Sequence, residues 1–398
     1  MEWVFLQNPW WSDENWEEKD KHLRDWKNQK MKWVPKWAKQ ISLEPFSMNF
    51  IYGIRQLGKT TGIKLLIKEI LKKENPFAVF FFDFELVSSI MEFRKIIESY
   101  LEIKRKEKVD TSFLFLDEVS SIREWWKIIK FLVDRGVFEN DVVTVLGSST
   151  LNIIKAPERF PGRKGKGKEI EVLPLSFSEF IEIKGYNPRK VLYREDLMRE
   201  FWEEYKQTGG FPKSINYHRD ANESFISAML SEARKHDKST EIFEGIVEVI
   251  LRKIPSALSY HSIAKETEIS HKTVREYIEF FEDSLIAKRV YWKNKYSIKR
   301  KEKKIFFRDP FIYHAFSFWT GTKFLESALF EGIVQEHLLR RYGEIYYFKN
   351  SYEIDCIAGD LKIEVKAGKP HRRYPKGVRV LGERDIPRFL IELFSKKK

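Results

Sequence analysis

The sequence has 398 residues, of which 42% are apolar, so the chain is long enough for two or three domains with cores of their own. Its single cysteine excludes a disulfide scaffold and a cysteine-rich zinc site, and no apolar run reaches the ~20 residues that a membrane-spanning helix needs. The 72 Lys and Arg outnumber the 59 Asp and Glu, and this net charge of +13 favours a polyanionic partner such as DNA. Because the amino terminus lacks the pattern of a secretion signal, we expect a soluble cytoplasmic protein with no membrane partner.

Residues 1–45 form a tryptophan-rich amino-terminal extension. Seven of the twelve tryptophans lie here among charged residues: Trp3, Trp10, Trp11, Trp16, Trp26, Trp33 and Trp37. The indole rings are compatible with packing onto the next domain. They are equally compatible with a surface on which bases or a partner would stack, and the sequence leaves both alternatives open.

Residues 46–180 alternate between short apolar runs and longer amphipathic runs. The short runs predict strands at 49–52, 78–82, 113–116 and 142–146, and the longer runs predict helices at 59–73, 91–106 and 123–135. Alternation of this kind is typical of an α/β fold in which helices cover a parallel sheet.

A phosphate-binding loop joins the first predicted strand to the first predicted helix. The segment from Gly53 to Thr60 fits G-x-x-x-x-G-K-[ST], the pattern of P-loop NTPases. Lys59 is expected to reach the β- and γ-phosphates of ATP, and the Thr60 hydroxyl is expected to bind Mg²⁺. The predicted nucleotide-binding residues are Gly53, Ile54, Arg55, Gln56, Leu57, Gly58, Lys59, Thr60 and Thr61.

An apolar strand that ends in two acids, Asp117 and Glu118, follows about sixty residues later. With this strand brought beside the first one, Asp117 is predicted to hold Mg²⁺ through water. Glu118 is then placed to polarise the attacking water as a general base. The two motifs together predict a site that binds and hydrolyses ATP.

Two further residues are candidates for contact with the γ-phosphate. Ser148 or Ser149, at the end of the strand at 142–146, is expected either to sense this phosphate or to cap the next helix. Arg163 lies in a glycine-rich basic loop and is suited to reach the γ-phosphate of its own subunit or of a neighbour in a homo-oligomer. A solvated loop and a contact with DNA phosphates are the other interpretations of this segment.

At this point the chain resembles a prokaryotic family of AAA-type ATPases that is widespread in archaea. The shared motifs are GIRQLGKTT at 53–61, LFLDE at 114–118, GSS at 147–149, GR at 162–163, LPLSFSEF at 173–180, GGFP at 209–212 and DP at 309–310. The resemblance implies a P-loop domain, a helical lid, a winged helix-turn-helix and a carboxyl-terminal domain similar to PD-(D/E)xK nucleases. It also implies that Arg163 is an arginine finger or a γ-phosphate sensor.

Residues 262–281 predict a helix-turn-helix. Ser270 is the expected N-cap of the second helix, whose outer face would present His271, Lys272 and Arg275 to the major groove of DNA. A basic hairpin follows, in which nine Lys or Arg between 288 and 304 face one acid, and Lys299, Arg300 and Lys301 form its densest part. A solvated charged surface and a protein-docking module are the alternatives to DNA binding.

The segment 352–366 predicts a β-hairpin with a two-residue loop at 359–360, which places Asp355 opposite Glu364 and Glu353 opposite Lys366. Opposed carboxylates repel each other, and a divalent cation would relieve this repulsion and activate water for phosphodiester cleavage. By the family resemblance, Asp355, Glu364 and Lys366 match the D…ExK signature of a nuclease using Mg²⁺ or Mn²⁺. Glu331 on the preceding helix completes it, and Glu336 is the competing choice.

The sequence therefore predicts five segments: the extension at 1–45, the ATPase domain at 46–180, the lid at 181–240, the winged helix at 241–310 and the nuclease-like domain at 311–398. The predicted function is that of an ATP-hydrolysing, DNA-binding protein with a metal-dependent nuclease domain. The alternative is a regulator or docking scaffold, switched by ATP, whose nuclease fold is vestigial.

Overall fold

The computed structural model describes residues 2–147, 160–368 and 374–395. The chain divides into two compact units, Met1–Leu173 and Pro174–Lys398, here called unit 1 and unit 2. Among the described residues, the helices are all too short or too polar to cross a membrane.

Unit 1 is built on a five-stranded parallel sheet with the order β2-β3-β4-β1-β5. The first four strands are almost entirely buried, which explains their continuous apolar sequences. The strands are β1 (Ser47–Gly53), β2 (Val79–Asp83), β3 (Phe113–Asp117), β4 (Val142–Gly147) and β5 (Glu169–Val172).

This sheet confirms the parallel α/β fold predicted from the sequence, with two differences. The expectation that β3 lies beside β1 was wrong, because β4 lies between them and pairs with both. The sequence also gave no signal for β5, a short edge strand in which exposed Glu169 and Glu171 alternate with buried residues.

The helices of unit 1 include the three predicted between the strands. Ser89 caps α5 by accepting a hydrogen bond from the backbone N–H of Glu92, as serine commonly does at a helix start. The helices are α1 (Glu2–Gln7), α2 (Trp16–Lys19), α3 (Lys21–Asn28), α4 (Lys59–Ile70), α5 (Ile90–Lys106) and α6 (Trp126–Asp134).

The tryptophan-rich extension covers the free edge of β2. The Asn8 side chain donates to the Phe81 carbonyl at 2.9 Å and accepts from the Phe81 N–H at 2.7 Å. Trp10 and Trp11 each donate an indole N–H to the Val79 carbonyl, at 3.0 and 3.1 Å. Side chains thus take the positions that a further strand would occupy, and this protects the sheet edge. These contacts favour the packing interpretation of the extension.

Unit 2 begins with helices that lead into a six-stranded sheet. The sequence-adjacent helices α13 and α14 are those predicted as the helix-turn-helix, and Ser270 caps α14 as expected. The helices are α7 (Phe177–Ile183), α8 (Pro188–Val191), α9 (Glu195–Thr208), α10 (Pro212–Ile215), α11 (Ala221–Lys235), α12 (Thr240–Lys253), α13 (Tyr260–Thr267), α14 (His271–Asp283), α15 (Pro310–Thr320), α16 (Glu326–Tyr342) and α17 (Ile386–Ser395).

The sheet of unit 2 has the order β11-β10-β9-β8-β6-β7. Its strands are β6 (Ala287–Lys293), β7 (Ser297–Phe307), β8 (Tyr346–Lys349), β9 (Glu353–Ala358), β10 (Leu361–Lys366) and β11 (Val378–Gly382). The basic hairpin β6–β7 therefore belongs to the same sheet as the predicted nuclease-like strands, because β6 pairs with β8.

Two of the shared motifs meet inside unit 2. Gly209 has a φ of +58°, and a Cβ atom built on it would lie 1.9 Å from Oδ1 of Asp309. The adjacent Gly210 N–H donates to Oδ2 of Asp309 at 3.0 Å. The GGFP motif and the DP motif therefore contact each other. Glycine is needed at 209 because its φ is positive and Asp309 leaves no room for a Cβ atom.

A third motif is fixed by a buried histidine. Ser176 and Glu179 form a capping box at the start of α7, and the Phe177 N–H donates to Nε2 of His337 at 3.0 Å. Nδ1 of the same ring lies 2.7 Å from the Ile333 carbonyl and must donate to it, so the ring is neutral.

Candidate functional site

The phosphate-binding loop leaves β1 at Gly53 and enters α4 at Lys59. Gly58 has a φ of +73°, a left-handed conformation that glycine adopts readily, and Gln56 is left-handed as well. The buried Lys59 donates from Nζ to the carbonyl oxygens of Gly53 at 2.9 Å and Ile54 at 3.0 Å. The start of α4 and this ammonium group together form a strongly anion-attracting concavity.

The Thr60 hydroxyl and the Asp117 carboxylate are in contact at the carboxyl-terminal edge of the sheet. Thr60 Oγ1 donates to Asp117 Oδ2 at 2.6 Å. The contact forms although β1, which leads into α4, and β3 are not neighbours in the sheet. Burial and the nearby Glu118 carboxylate raise the pKa of Asp117 to about 7. A hydroxyl and a carboxylate, both hard oxygen ligands, fit Mg²⁺, and a cation here would relieve the crowding of acids.

Glu118 stands where the strand turns into the next segment. Its φ of +49° is left-handed, and its backbone N–H donates to Asp117 Oδ1 at 3.0 Å. This local turn holds the Glu118 side chain, which is half-buried, beside the Asp117 carboxylate. Its role as a general base stays a prediction.

The sequence interpretation missed a third acid at this edge. Asp83 ends β2 and is in register with Asp117 on β3, and burial raises its pKa. The buried Lys64 lies nearby on α4, with Nζ 3.8 Å from the Phe81 ring centroid and 3.6 Å from Oδ2 of Asp20. An apolar strand that ends in an acid, as β2 does, was the available signal for Asp83.

Of the two residues predicted to contact the γ-phosphate, the structure describes only Arg163. Ser148, like Ser149, lies outside the described residues. Arg163 is described, and its guanidinium donates to the carboxylate of Asp134 at the end of α6. The neighbouring Lys164 carbonyl accepts from the Met48 N–H at 3.0 Å, so this loop lies at the amino-terminal end of β1, opposite the phosphate-binding loop.

In unit 2 the predicted β-hairpin has the expected register. Leu361 pairs with Ala358 and Ile363 pairs with Cys356, so Asp355 and Glu364 fall on facing positions one step further. Both carboxylates are buried, and Val365 N–H donates to Asp355 Oδ2 at 2.8 Å.

Glu364 is held on one side by Lys366, 2.6 Å from Oε1, and by the Tyr374 hydroxyl at 3.0 Å. Its other oxygen, Oε2, is buried and has no hydrogen-bond partner among the described residues. Burial and the Asp355 carboxylate raise the pKa of Glu364.

A lysine that the sequence interpretation assigned to the basic hairpin lies among these acids. Nζ of Lys304, on β7, is 2.6 Å from Asp355 Oδ1 and 2.9 Å from both Glu331 Oε1 and Glu353 Oε1. We call Glu331, Glu353 and Asp355 the carboxylate cluster. Within the described ranges, no three His, Cys, Asp or Glu side chains are arranged to hold a metal ion.

The structure also separates the two candidate glutamates of α16. Glu331 joins the carboxylate cluster, whereas Glu336 lies 2.9 Å from Arg308 and 2.8 Å from Arg340. Burial opposes ionisation of Glu336, but the two guanidinium groups lower its pKa to about 2. Glu336 therefore belongs to a buried ion-pair network and not to the cluster.

The predicted DNA-binding residues are exposed. His271, Lys272 and Arg275 lie on the outer face of α14, although Arg275 pairs with Glu279 at 2.8 Å. The outer half of β7, residues 297–302, is exposed and carries Lys299, Arg300 and Lys301. The basic run is not exposed throughout, because Lys303 and Lys304 are buried.

The comparisons with known proteins divide the chain into three parts. Residues 45–181 match the family described as AAA domain, and residues 199–323 match a family described as domain of unknown function (DUF8612). Residues 45–181 are therefore similar to AAA domains, whereas residues 324–398 lie outside both matches.

Two similar proteins are uncharacterized. The protein MJ1544 of Methanocaldococcus jannaschii is 24% identical over 80% of this chain and 73% of its own length. A protein of Haemophilus influenzae is 25% identical over 77% of this chain and 78% of its own.

Similar solved structures include the ORC2 protein of Aeropyrum pernix in ADPNP–ADP complexes, with a TM-score of 0.41 and 13% identity over 64% of this chain and 85% of that one. They also include CDC6P of Pyrobaculum aerophilum, with a TM-score of 0.30 and 11% identity over 73% and 88% of the two chains.

Proposed function

We propose that this protein hydrolyses ATP in unit 1 and binds DNA through the helix-turn-helix and basic hairpin of unit 2. The observation that carries the first part is the 2.6 Å contact between Thr60 and Asp117 beside the phosphate-binding loop. The contact joins the two motifs on which hydrolysis of a nucleoside triphosphate depends, in a segment that matches the AAA domain.

The chain supplies each role that this reaction needs. Lys59 and the backbone N–H groups of the loop would hold the β- and γ-phosphates. Thr60 would bind Mg²⁺ directly and Asp117 through water, and the ion supplies neutralisation of the phosphate charge. Glu118 would polarise the attacking water, and Arg163 of a neighbouring copy would stabilise charge on the transferred group.

The experiment is ATP turnover by the full chain and three variants. Lys59→Ala is expected to abolish turnover, and Glu118→Gln is expected to retain ATP binding while losing turnover. Lys72→Ala removes an exposed lysine next to the end of α4 and is the control, with turnover unchanged. Turnover by Lys59→Ala at the wild-type rate would refute the assignment of the loop.

The second part of the proposal rests on the exposed basic residues of β7. Within the described residues, Lys299 and Arg300 have no ion-pair partner, while Lys301 Nζ lies 3.5 Å from the Trp292 ring centroid. Adjacent like charges on one strand repel each other unless a polyanion screens them. We therefore propose a winged helix-turn-helix in which α14 enters the major groove and this strand contacts phosphates.

Charge reversal of 299–301 tests the DNA contact. The variant is expected to bind DNA more weakly and with a shallower dependence of affinity on salt, since fewer counterions are released. Reversal of three exposed lysines in unit 1, Lys30, Lys32 and Lys39, is the charge-matched control. An unaltered salt dependence in the 299–301 variant would remove the hairpin from the interface.

A metal-dependent nuclease is the second candidate activity of unit 2. In its support, the sequence of Asp355, Glu364 and Lys366 matches the D…ExK signature, and Glu331 lies on the preceding helix. Lys304 argues against it, because its ammonium group already contacts the carboxylates that would bind the metal. We therefore favour the alternative in which residues 311–398 serve binding and regulation.

A further inference from the structure

We infer that Lys304 is the resident cation of the carboxylate cluster and takes the place of a divalent metal ion. The cluster gathers one acid from α16 and two from β9, and the lysine comes from β7, the strand whose outer half is the basic hairpin. The inference concerns unit 2 alone and does not depend on ATP hydrolysis by unit 1.

The lysine is placed as a bound cation would be. Its Nζ lies within 2.9 Å of one oxygen from each of Glu331, Glu353 and Asp355, so its three N–H donors match three carboxylates. Lys304 and Asp355 are 2% and 4% exposed, so water contributes little to the neutralisation of these charges. Burial lowers the pKa of Lys304, but the carboxylates outweigh it and hold that pKa well above its ordinary value.

Two further hydrogen bonds hold the acids of the cluster. Asp355 Oδ2 accepts from the Val365 N–H, and Glu331 Oε1 accepts a second hydrogen bond from the Gln335 side chain at 2.8 Å. A divalent ion at the position of Nζ would bind the same Asp355 and Glu331 oxygens at about 2.0–2.6 Å, where the ammonium group now lies. At this position, metal and lysine therefore exclude each other.

The arrangement makes the cluster part of the protein core. Glu331 and Asp355 are buried and Glu353 is partly exposed, so without a cation the carboxylates would repel each other with little screening by water between the two buried ones, and the lysine reduces this repulsion. It also fastens the inner half of β7, next to the exposed residues 299–301, to the hairpin β9–β10. In the wild-type protein we expect this unit to bind its partner without cleaving it.

The test is Mn²⁺ binding to the nucleotide-free full chain, followed by electron paramagnetic resonance. Lys304→Ala vacates the position and is expected to bind one more Mn²⁺ per chain than the wild type. This ion should raise the thermal midpoint of the variant. Lys304→Ala/Asp355→Asn is expected to lose both effects, and Lys362→Ala, which removes an exposed lysine of β10 in the same sheet, should behave like the wild type.

Three results would overturn the inference. The first is a Mn²⁺ ion that the wild type binds and Asp355→Asn loses. The second is nicking of branched or linear DNA that depends on Mg²⁺ or Mn²⁺ and that Asp355→Ala abolishes. The third is a folded Lys304→Ala variant that gains no Mn²⁺. If Lys304→Ala does not fold, Lys304→Gln keeps a polar side chain one atom shorter than lysine while removing the charge, and the same gain of Mn²⁺ is required of it.

Discussion

Arg163 lies too far from the phosphate-binding loop of its own chain to contact a nucleotide there. Gly165 bridges Ser47 at the start of β1, and the loop begins at Gly53 at the other end of the strand. Six residues of extended chain span about 20 Å, which is much longer than an arginine side chain. If Arg163 stabilises the transferred phosphate, it must do so in a neighbouring copy.

This geometry predicts complementation between two inactive variants. Arg163→Ala is expected to retain ATP binding and to lose about 10³-fold or more in kcat, the usual contribution of such an arginine. Lys59→Ala lacks a working loop but keeps Arg163. In an equal mixture that exchanges subunits at random, about a quarter of the interfaces join an intact loop to an intact arginine, so about a quarter of wild-type turnover should return.

The assay is steady-state ATP turnover by each variant, by the mixture and by the wild type at the same total concentration. Arg135→Ala, which removes an exposed arginine at the same end of α6, is the control and should leave turnover unchanged. A mixture no more active than the average of its two components would refute the transfer of Arg163 between copies.

Two further predictions concern unit 2. Burial and Arg340 lower the pKa of His337 to about 3, and the ring must stay neutral to accept the hydrogen bond from the Phe177 N–H. In the unfolded state His337 binds a proton below about pH 6.5. The free energy of unfolding therefore falls as the pH decreases below about 6.5. Urea unfolding at pH 7 and pH 5 should show a loss about 2 kcal/mol larger for wild type than for His337→Gln, and equal losses would contradict it. Gly209→Ala should lower the free energy of unfolding by about 3 kcal/mol or more, because the new Cβ atom would clash with the Asp309 carboxylate. Gly343→Ala is the control and should cost about 1 kcal/mol, since Gly343 also has a positive φ but open space around it. Equal thermal midpoints of the two variants would refute the contact.

The phosphate-binding loop was predictable because its residues are consecutive in the sequence. The loop from Gly53 to Thr60 carries its own turn and helix start, and Asp117 follows an unmistakable apolar strand. The order of the strands in the sheet could not be predicted in the same way, because an apolar run indicates that a strand is buried but not which strands pair with it.

The carboxylate cluster was predictable only in part, because it depends on contacts between residues that are distant in the sequence. The hairpin register was predicted because the loop at 359–360 fixes it, but the choice between Glu331 and Glu336 depends on packing against other elements. In the sequence, Lys304 was one more charge in a basic run. Only the fold reveals that it faces acids 27 to 51 residues away, since nothing in its local sequence differs from the exposed lysines beside it.

The central claim is that a triphosphate with Mg²⁺ binds between Lys59 and Asp117. A crystal structure of the protein with Mg²⁺ and a non-hydrolysable ATP analogue tests it most directly. We predict the β- and γ-phosphates within the loop 53–61, and Mg²⁺ about 2.1 Å from the Thr60 hydroxyl oxygen. An analogue bound elsewhere, or a loop that stays closed on the Lys59 ammonium group at saturating ligand, would contradict the claim.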